Sequence, residues 1–162
     1  LDNFTESIKN FKKVFSFNCD SSDKDLALSG LEEVYLNKLN KPDEFIAFKA
    51  SIPGYEVNAN ERETIAIRSA DIRFENQDYR GAVEGYTNYL KQFPSGTNRA
   101  KAFFFRAESY IKIQNYTNAA QDYEATVALY PNSFSERALE KAALTYLNLK
   151  NYAKALANFI AM

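Results

Sequence analysis

Few groups in this sequence can attack a substrate, carry a proton or hold a metal. Its 162 residues include no His and a single Cys, Cys19. Without imidazole there is no Ser-His-Asp triad, no Cys-His dyad and no histidine metal site. Cys19 follows Asn18 and precedes Asp20, with no base and no adjacent cation to hold a thiolate, so it reads as a buried or incidental thiol. It also has no second Cys with which to close an internal disulfide. Ahead of it, KKVFSFNC offers only Val14, Phe15 and Phe17 as apolar residues and lacks the Leu and small residues of a lipid-attachment site. Asp20, Asp23 and Asp25 resemble the start of a calcium loop in spacing alone. The Gly and terminal Glu of an EF-hand loop are missing, so these acids are expected to cap and open a helix. No Glu pair stands out as an acid and base, and the five Gly are scattered rather than gathered into a phosphate loop. The expectation is a chain with no catalytic residue, no metal and no cofactor.

Charge narrows the partners. Lys plus Arg number 20 and Asp plus Glu 21, a net charge of −1. Nothing here forms a phosphate track, so no nucleic-acid partner is expected, and no basic excess favours anionic lipid. No run approaches the roughly 18 apolar residues of a membrane span, so no membrane insertion by this stretch is expected. The opening LDNFTESIKNF is amphipathic, lacks the apolar stretch of a signal peptide and starts with Leu. The chain is therefore read as a segment of something longer.

The excess lies in aromatics, 11 Tyr and 13 Phe, and their spacing shows which elements carry them. Phe11, Phe48, Tyr86, Tyr123 and Phe159 are separated by 37, 38, 37 and 36 residues. With aromatics at 15% of the chain, four further matches in a fixed register arise by chance about once in two thousand. Phe4, Tyr79, Tyr116 and Tyr152 each precede one of these aromatics by seven, and Ser7, Ala82, Ala119 and Ala155 follow by three. Pro94 and Pro131 are 37 apart. Within one period, Phe103, Ala107, Tyr110 and Ile111 share a helical face, predicting a helix over 99–113. Gln114-Asn115 interrupts, and Ala119, Ala120, Tyr123, Val127 and Tyr130 predict a second helix over 116–130. Pro131 ends it, since proline lacks the N–H donor and disfavours helical geometry in the residue before it. Ser133 and Glu136 have capping-box spacing and predict the next helix start. Small residues at Ala107, Ala119, Ala143 and Ala155 let paired helices approach closely.

This pattern resembles the tetratricopeptide repeat: a small residue, an aromatic three later, a second aromatic, then Ala, aromatic and Pro. Ala107, Tyr110, Tyr116, Ala119, Tyr123 and Pro131 match throughout, and Ala143, Tyr146, Tyr152, Ala155 and Phe159 match up to the proline. Ala70, Tyr79, Ala82, Tyr86 and Pro94 match with Arg73 at one aromatic place. An earlier unit keeps only Tyr35 and Phe48, with Glu32, Lys41 and Glu44 at other key places. The expected fold is all-α, an α-solenoid of antiparallel helix pairs forming a superhelix of about nine helices, truncated at both ends. One array spans 1–162: the second helix of an incomplete repeat (1–18), a degenerate repeat (22–52), two repeats (60–94 and 98–131) and one lacking its end (134–162). The longest non-periodic connector runs from Ser51 to Asn60 and reads as a turn.

The resemblance implies a function. In such repeats the first helices line a groove that takes peptides, here Ile67, Asp71, Phe74, Lys101, Phe104, Glu108, Ile111, Arg137, Leu144 and Leu147. Apolar anchors flanked by charges suit a protein or peptide partner; the alternative is that these side chains pack within and between repeats. A clamp for a C-terminal carboxylate is not expected, because Asp71 would repel it. The rival roles are a structural spacer or self-association module, using exposed apolar residues at the terminal helices (Leu1, Phe4 and Phe11; Phe159, Ile160 and Met162), and a non-catalytic part of an enzyme whose site lies elsewhere. The phrases FPSGTNRAKAF and YPNSFSERAL are similar to those of long-period members from the Gram-negative cell envelope. Periplasmic or outer-membrane-associated localisation follows from that likeness alone.

Overall fold

A computed structural model describes residues 2–162. Among these it contains helices and no strand: α1 (Asp2–Val14), α2 (Ser21–Glu32), α3 (Pro42–Ala50), α4 (Ala59–Glu75), α5 (Tyr79–Gln92), α6 (Arg99–Lys112), α7 (Tyr116–Ala128), α8 (Ser135–Asn148) and α9 (Tyr152–Ile160). A π-helical turn, Glu33–Lys38, follows α2. The chain divides into two compact units, residues 1–69 and 70–162. Leu1, expected in an exposed apolar end, lies outside the described residues.

In the first unit, α1 packs on α2 where Gly30 leaves room for the Phe11 ring; a Cβ there would stand 2.5 Å from its tip. Phe15 meets Phe48 edge-on at 5.5 Å, and the Lys12 ammonium lies 4.5 Å from the Phe48 ring centre. Asp20 caps α2 by accepting the Asp23 N–H at 2.9 Å, and Asp23 sits in the first turn. Two of the three acids that resembled a calcium loop thus serve the helix start, while Asp25 accepts a hydrogen bond from the Tyr55 hydroxyl at 2.8 Å. The π turn was not foreseen. The Leu39 N–H reaches back five residues to Val34, and Val34, Tyr35 and Leu36 are all buried.

The second unit is regular. α6 packs against α5 and α7, and α8 against α7 and α9. Each pair within it turns in the same way. Gln77, Gln114 and Lys150 adopt left-handed geometry with φ of 62°, 61° and 57°. The next residue, Asp78, Asn115 or Asn151, sends its N–H back five residues to Arg73, Tyr110 or Tyr146 at 2.8–2.9 Å. Its side chain then caps the following helix by accepting an N–H three residues on. One short motif thus ends one helix and starts its partner. At Gly85 the backbones of α4 and α5 come close enough that a Cβ would lie 2.9 Å from the Ala70 side chain. Ala107, Ala119, Ala143 and Ala155, the residues expected to permit close approach, are all buried.

Two local expectations need correction. Ser133 does not cap α8, which starts at Ser135 after Phe134 without a side-chain cap. Asn132 organises that turn instead, accepting the Phe134 N–H at 2.9 Å and donating to the Thr126 carbonyl at 3.0 Å. Tyr130, expected on the buried face of α7, is exposed, because α7 ends at Ala128 and Leu129 and Tyr130 continue as turn.

Candidate functional site

The side chains that could meet a partner in the second unit stand on the first helix of each pair, and repeat spacing sets them side by side. On the last turns of α4, Asp71, Phe74 and Glu75 join Tyr86 from α5 and Lys101 and Phe105 from α6 around a pocket of about 190 Å³. Phe74 and Phe105 meet at 5.1 Å with planes 70° apart, the offset geometry that aromatic pairs prefer. At the floor, Asp71 accepts the Tyr86 hydroxyl at 2.8 Å and the Lys101 ammonium at 2.6 Å. Burial, reinforced by the Asp71 charge, pushes the Tyr86 hydroxyl far above its ordinary range, so it remains a donor.

One repeat on, the same chemistry recurs. The Tyr123 hydroxyl donates to Glu108, whose carboxylate lies 3.6 Å from the Lys141 ammonium. Burial first and Glu108 second push Tyr123 upward as well. Repeat spacing therefore pairs a carboxylate with a tyrosine fifteen residues on, Asp71 with Tyr86 and Glu108 with Tyr123, while a lysine from the next repeat joins each from a different helix position, Lys101 or Lys141. In the following pair the equivalent places hold Leu144 and Phe159, both partly exposed.

A buried polar link lies away from this face. Arg106 grips Asp122 with Nε and Nη2, each 2.7 Å from a carboxylate oxygen, and its Nη1 reaches Thr87 at 2.9 Å. Burial pushes the Asp122 carboxyl above the ordinary Asp range, against the pull of Arg106. The fork geometry and the fixed guanidinium charge make this an ion pair that organises packing rather than an acid that turns over substrate.

The ten residues expected in the groove separate into groups. Asp71, Phe74 and Lys101 line the pocket. Glu108 and Ile111 are partly exposed along α6, Arg137 is exposed on α8, and Leu144 and Leu147 are exposed on the same helix. Phe104 does not belong to an accessible face: it is 0% exposed, within 5.1–5.8 Å of the Phe105, Tyr123 and Phe134 rings. The Arg137 guanidinium sits 4.8 Å from its ring centre and helps cover it. Ile67 is buried in the first unit. For these two the packing alternative describes the structure. Phe105, absent from the expected set, forms the pocket wall in place of Phe104. The run Phe103-Phe104-Phe105 carried the signal, since successive residues step about 100° around a helix and cannot share one face.

Comparison with known families agrees with this geometry. The tetratricopeptide repeat family model matches residues 101–133, which take in α6 from its third residue, all of α7 and most of the turn after it. Over those residues the chain matches the tetratricopeptide repeat. Sperm-associated antigen 1 of Rattus norvegicus is 27% identical over 142 residues, covering 85% of the repeat chain and 15% of that relative. The repeat chain therefore spans a small part of the relative's length. Two crystal structures of MamA superpose on 98% of the repeat chain and on 85% and 80% of their own chains. Both have a TM-score of 0.53, with identities of 18% and 19%. At that identity the likeness speaks for the helical-repeat fold. Among the described residues no helix is long and apolar enough to cross a membrane.

Proposed function

We propose that this tetratricopeptide-repeat chain is a non-catalytic scaffold for protein interactions, holding a peptide or protein segment along the first-helix face of residues 70–162. The observation that carries the reading is the Phe74–Phe105 pocket beside the Asp71–Lys101 pair, an aromatic recess with oriented charges on a helix face. Such a surface provides an apolar anchor and sets direction through polar contacts. Peptides selected from a random-sequence phage library on the immobilised chain test it. Hydrogen exchange with a selected peptide bound should show added protection in the last turns of α4 and in α6 and α8. Protection confined to other elements, or turnover of a substrate by this chain alone, overturns the reading.

A second reading, self-association or spacing, is favoured by α9, where Tyr152, Leu156, Phe159 and Ile160 are exposed together. Light scattering at high concentration decides it: a dimer supports self-association and a monomer removes it. The phrases FPSGTNRAKAF and YPNSFSERAL favour an envelope setting, which fractionation of source cells into cytoplasmic, periplasmic and membrane pools would test.

A further inference from the structure

We propose that the pocket formed by α4, α5 and α6 is a subsite for one basic side chain, an arginine or lysine, of the bound segment; this rests on the reading of that face as a peptide groove. Size sets the first limit. About 190 Å³ equals the liquid share of about six waters at about 30 Å³ each, room for one long side chain and not for a helix.

Charge sets the second. Asp71 is satisfied by Tyr86 and Lys101, and the Lys101 ammonium is committed to Asp71. Arg73, the neighbouring cation on α4, lies 3.7 Å from Asp78 and 3.8 Å from Glu84. Glu75 remains on the rim, exposed and without an ion pair among the described residues. The wall thus carries two carboxylates against one ammonium. Phe74 and Phe105 supply faces for the methylene stem of a Lys or Arg, whose charged head would then reach Glu75. An acidic side chain would meet both Asp71 and Glu75, and an apolar one would bury rings beside a carboxylate without answering it.

The combination is local. One repeat later Phe74 and Glu75 are replaced by Ile111 and Lys112, and the next by Leu147 and Asn148. A segment lying along this face would therefore be read for a basic residue at one end of the unit, which fixes its direction.

A phage-displayed random peptide library panned on the wild-type chain and on Glu75→Gln tests the subsite separately from the groove. Wild type should enrich Arg or Lys at one position. A selected peptide with that residue changed to norleucine should bind roughly three- to tenfold more weakly to wild type, and Glu75→Gln should remove most of that difference. Unchanged helical circular dichroism of Glu75→Gln confirms that the loss is not unfolding. Peptides that protect α6 and α8 but show no basic preference overturn the subsite and leave the groove standing. Failure to select any peptide that protects this face overturns both.

Discussion

The pairs α6–α7 and α8–α9 share a turn and a set of buried alanines, yet they differ in how their outer positions are filled. In α6–α7 the ring of Phe104 is closed off by Phe105, Tyr123 and Phe134, Glu108 is held by Tyr123 and Lys141, and Arg106 and Asp122 form a buried fork. In α8–α9 the equivalents are Glu140 for Phe104, Leu144 for Glu108, Ala142 for Arg106, Asn158 for Asp122 and Phe159 for Tyr123. The alanines and the turn suffice to make a helix pair. The polar and aromatic positions decide whether that pair is tied to its neighbours. Stability in such arrays comes from the interfaces between repeats as well as from the repeats themselves.

The comparison can be broken most sharply at its rings. Phe104→Ala should cost about 3–5 kcal/mol in urea unfolding, whereas Leu144→Ala, at a residue 44% exposed, should cost less than about 1 kcal/mol. Equal losses would mean that the two pairs are packed alike. Next comes the fork: Asp122→Ala leaves Arg106 buried and unpaired and should cost about 3 kcal/mol, while Asn158→Ala should be close to neutral. Tyr123→Phe should cost about 1 kcal/mol through the lost hydroxyl bond to Glu108. The reverse graft, Leu144→Glu with Phe159→Tyr, should recover up to about 1 kcal/mol by giving α8–α9 the same link. The smallest effect lies where the pairs agree. Gln114→Gly and Lys150→Gly relieve left-handed backbone at the same place and should each raise stability by about 0.5–1 kcal/mol, read from the melting temperature.

Much of this was legible in the sequence because the repeat is written in the residues that do the packing. Ala107, Ala119 and Tyr123 are set by helix-to-helix distance, and a 36- to 38-residue step recovers them without any structure. The bounds of α6 and α7 follow from the Gln114-Asn115 break and from Pro131 to within two residues. The site was harder to read. Repeat register assigns Phe104 and Phe105 to neighbouring helix positions, but which ring turns inward depends on Phe134 and Arg137 arriving from the next repeat. The hydroxyl links from Tyr86 and Tyr123 were hidden for a related reason: a tyrosine at a core position reads as an apolar ring until its carboxylate acceptor is placed. The π turn at Glu33–Lys38 falls in the unit that keeps only Tyr35 and Phe48 of the pattern, where periodicity gives least guidance.

The single guanidinium of Arg106 has a consequence for how the molecule comes apart. It starts on α6, is gripped by α7 and touches Thr87 of α5, so one side chain spans two successive helix pairs. Separating α6 from α7 strands it, whereas losing α5 removes only the bond to the exposed Thr87, so α6 and α7 should lose amide protection together, as one unit. Between α7 and the last pair the corresponding tie is Lys154, solvent-exposed and shared between Glu124 and Tyr146, and water can replace it at little cost. The second unit therefore has a direction of fraying built into it, opening at α9 and stopping at α8, where Phe134, Arg137 and Ala138 close over Phe104.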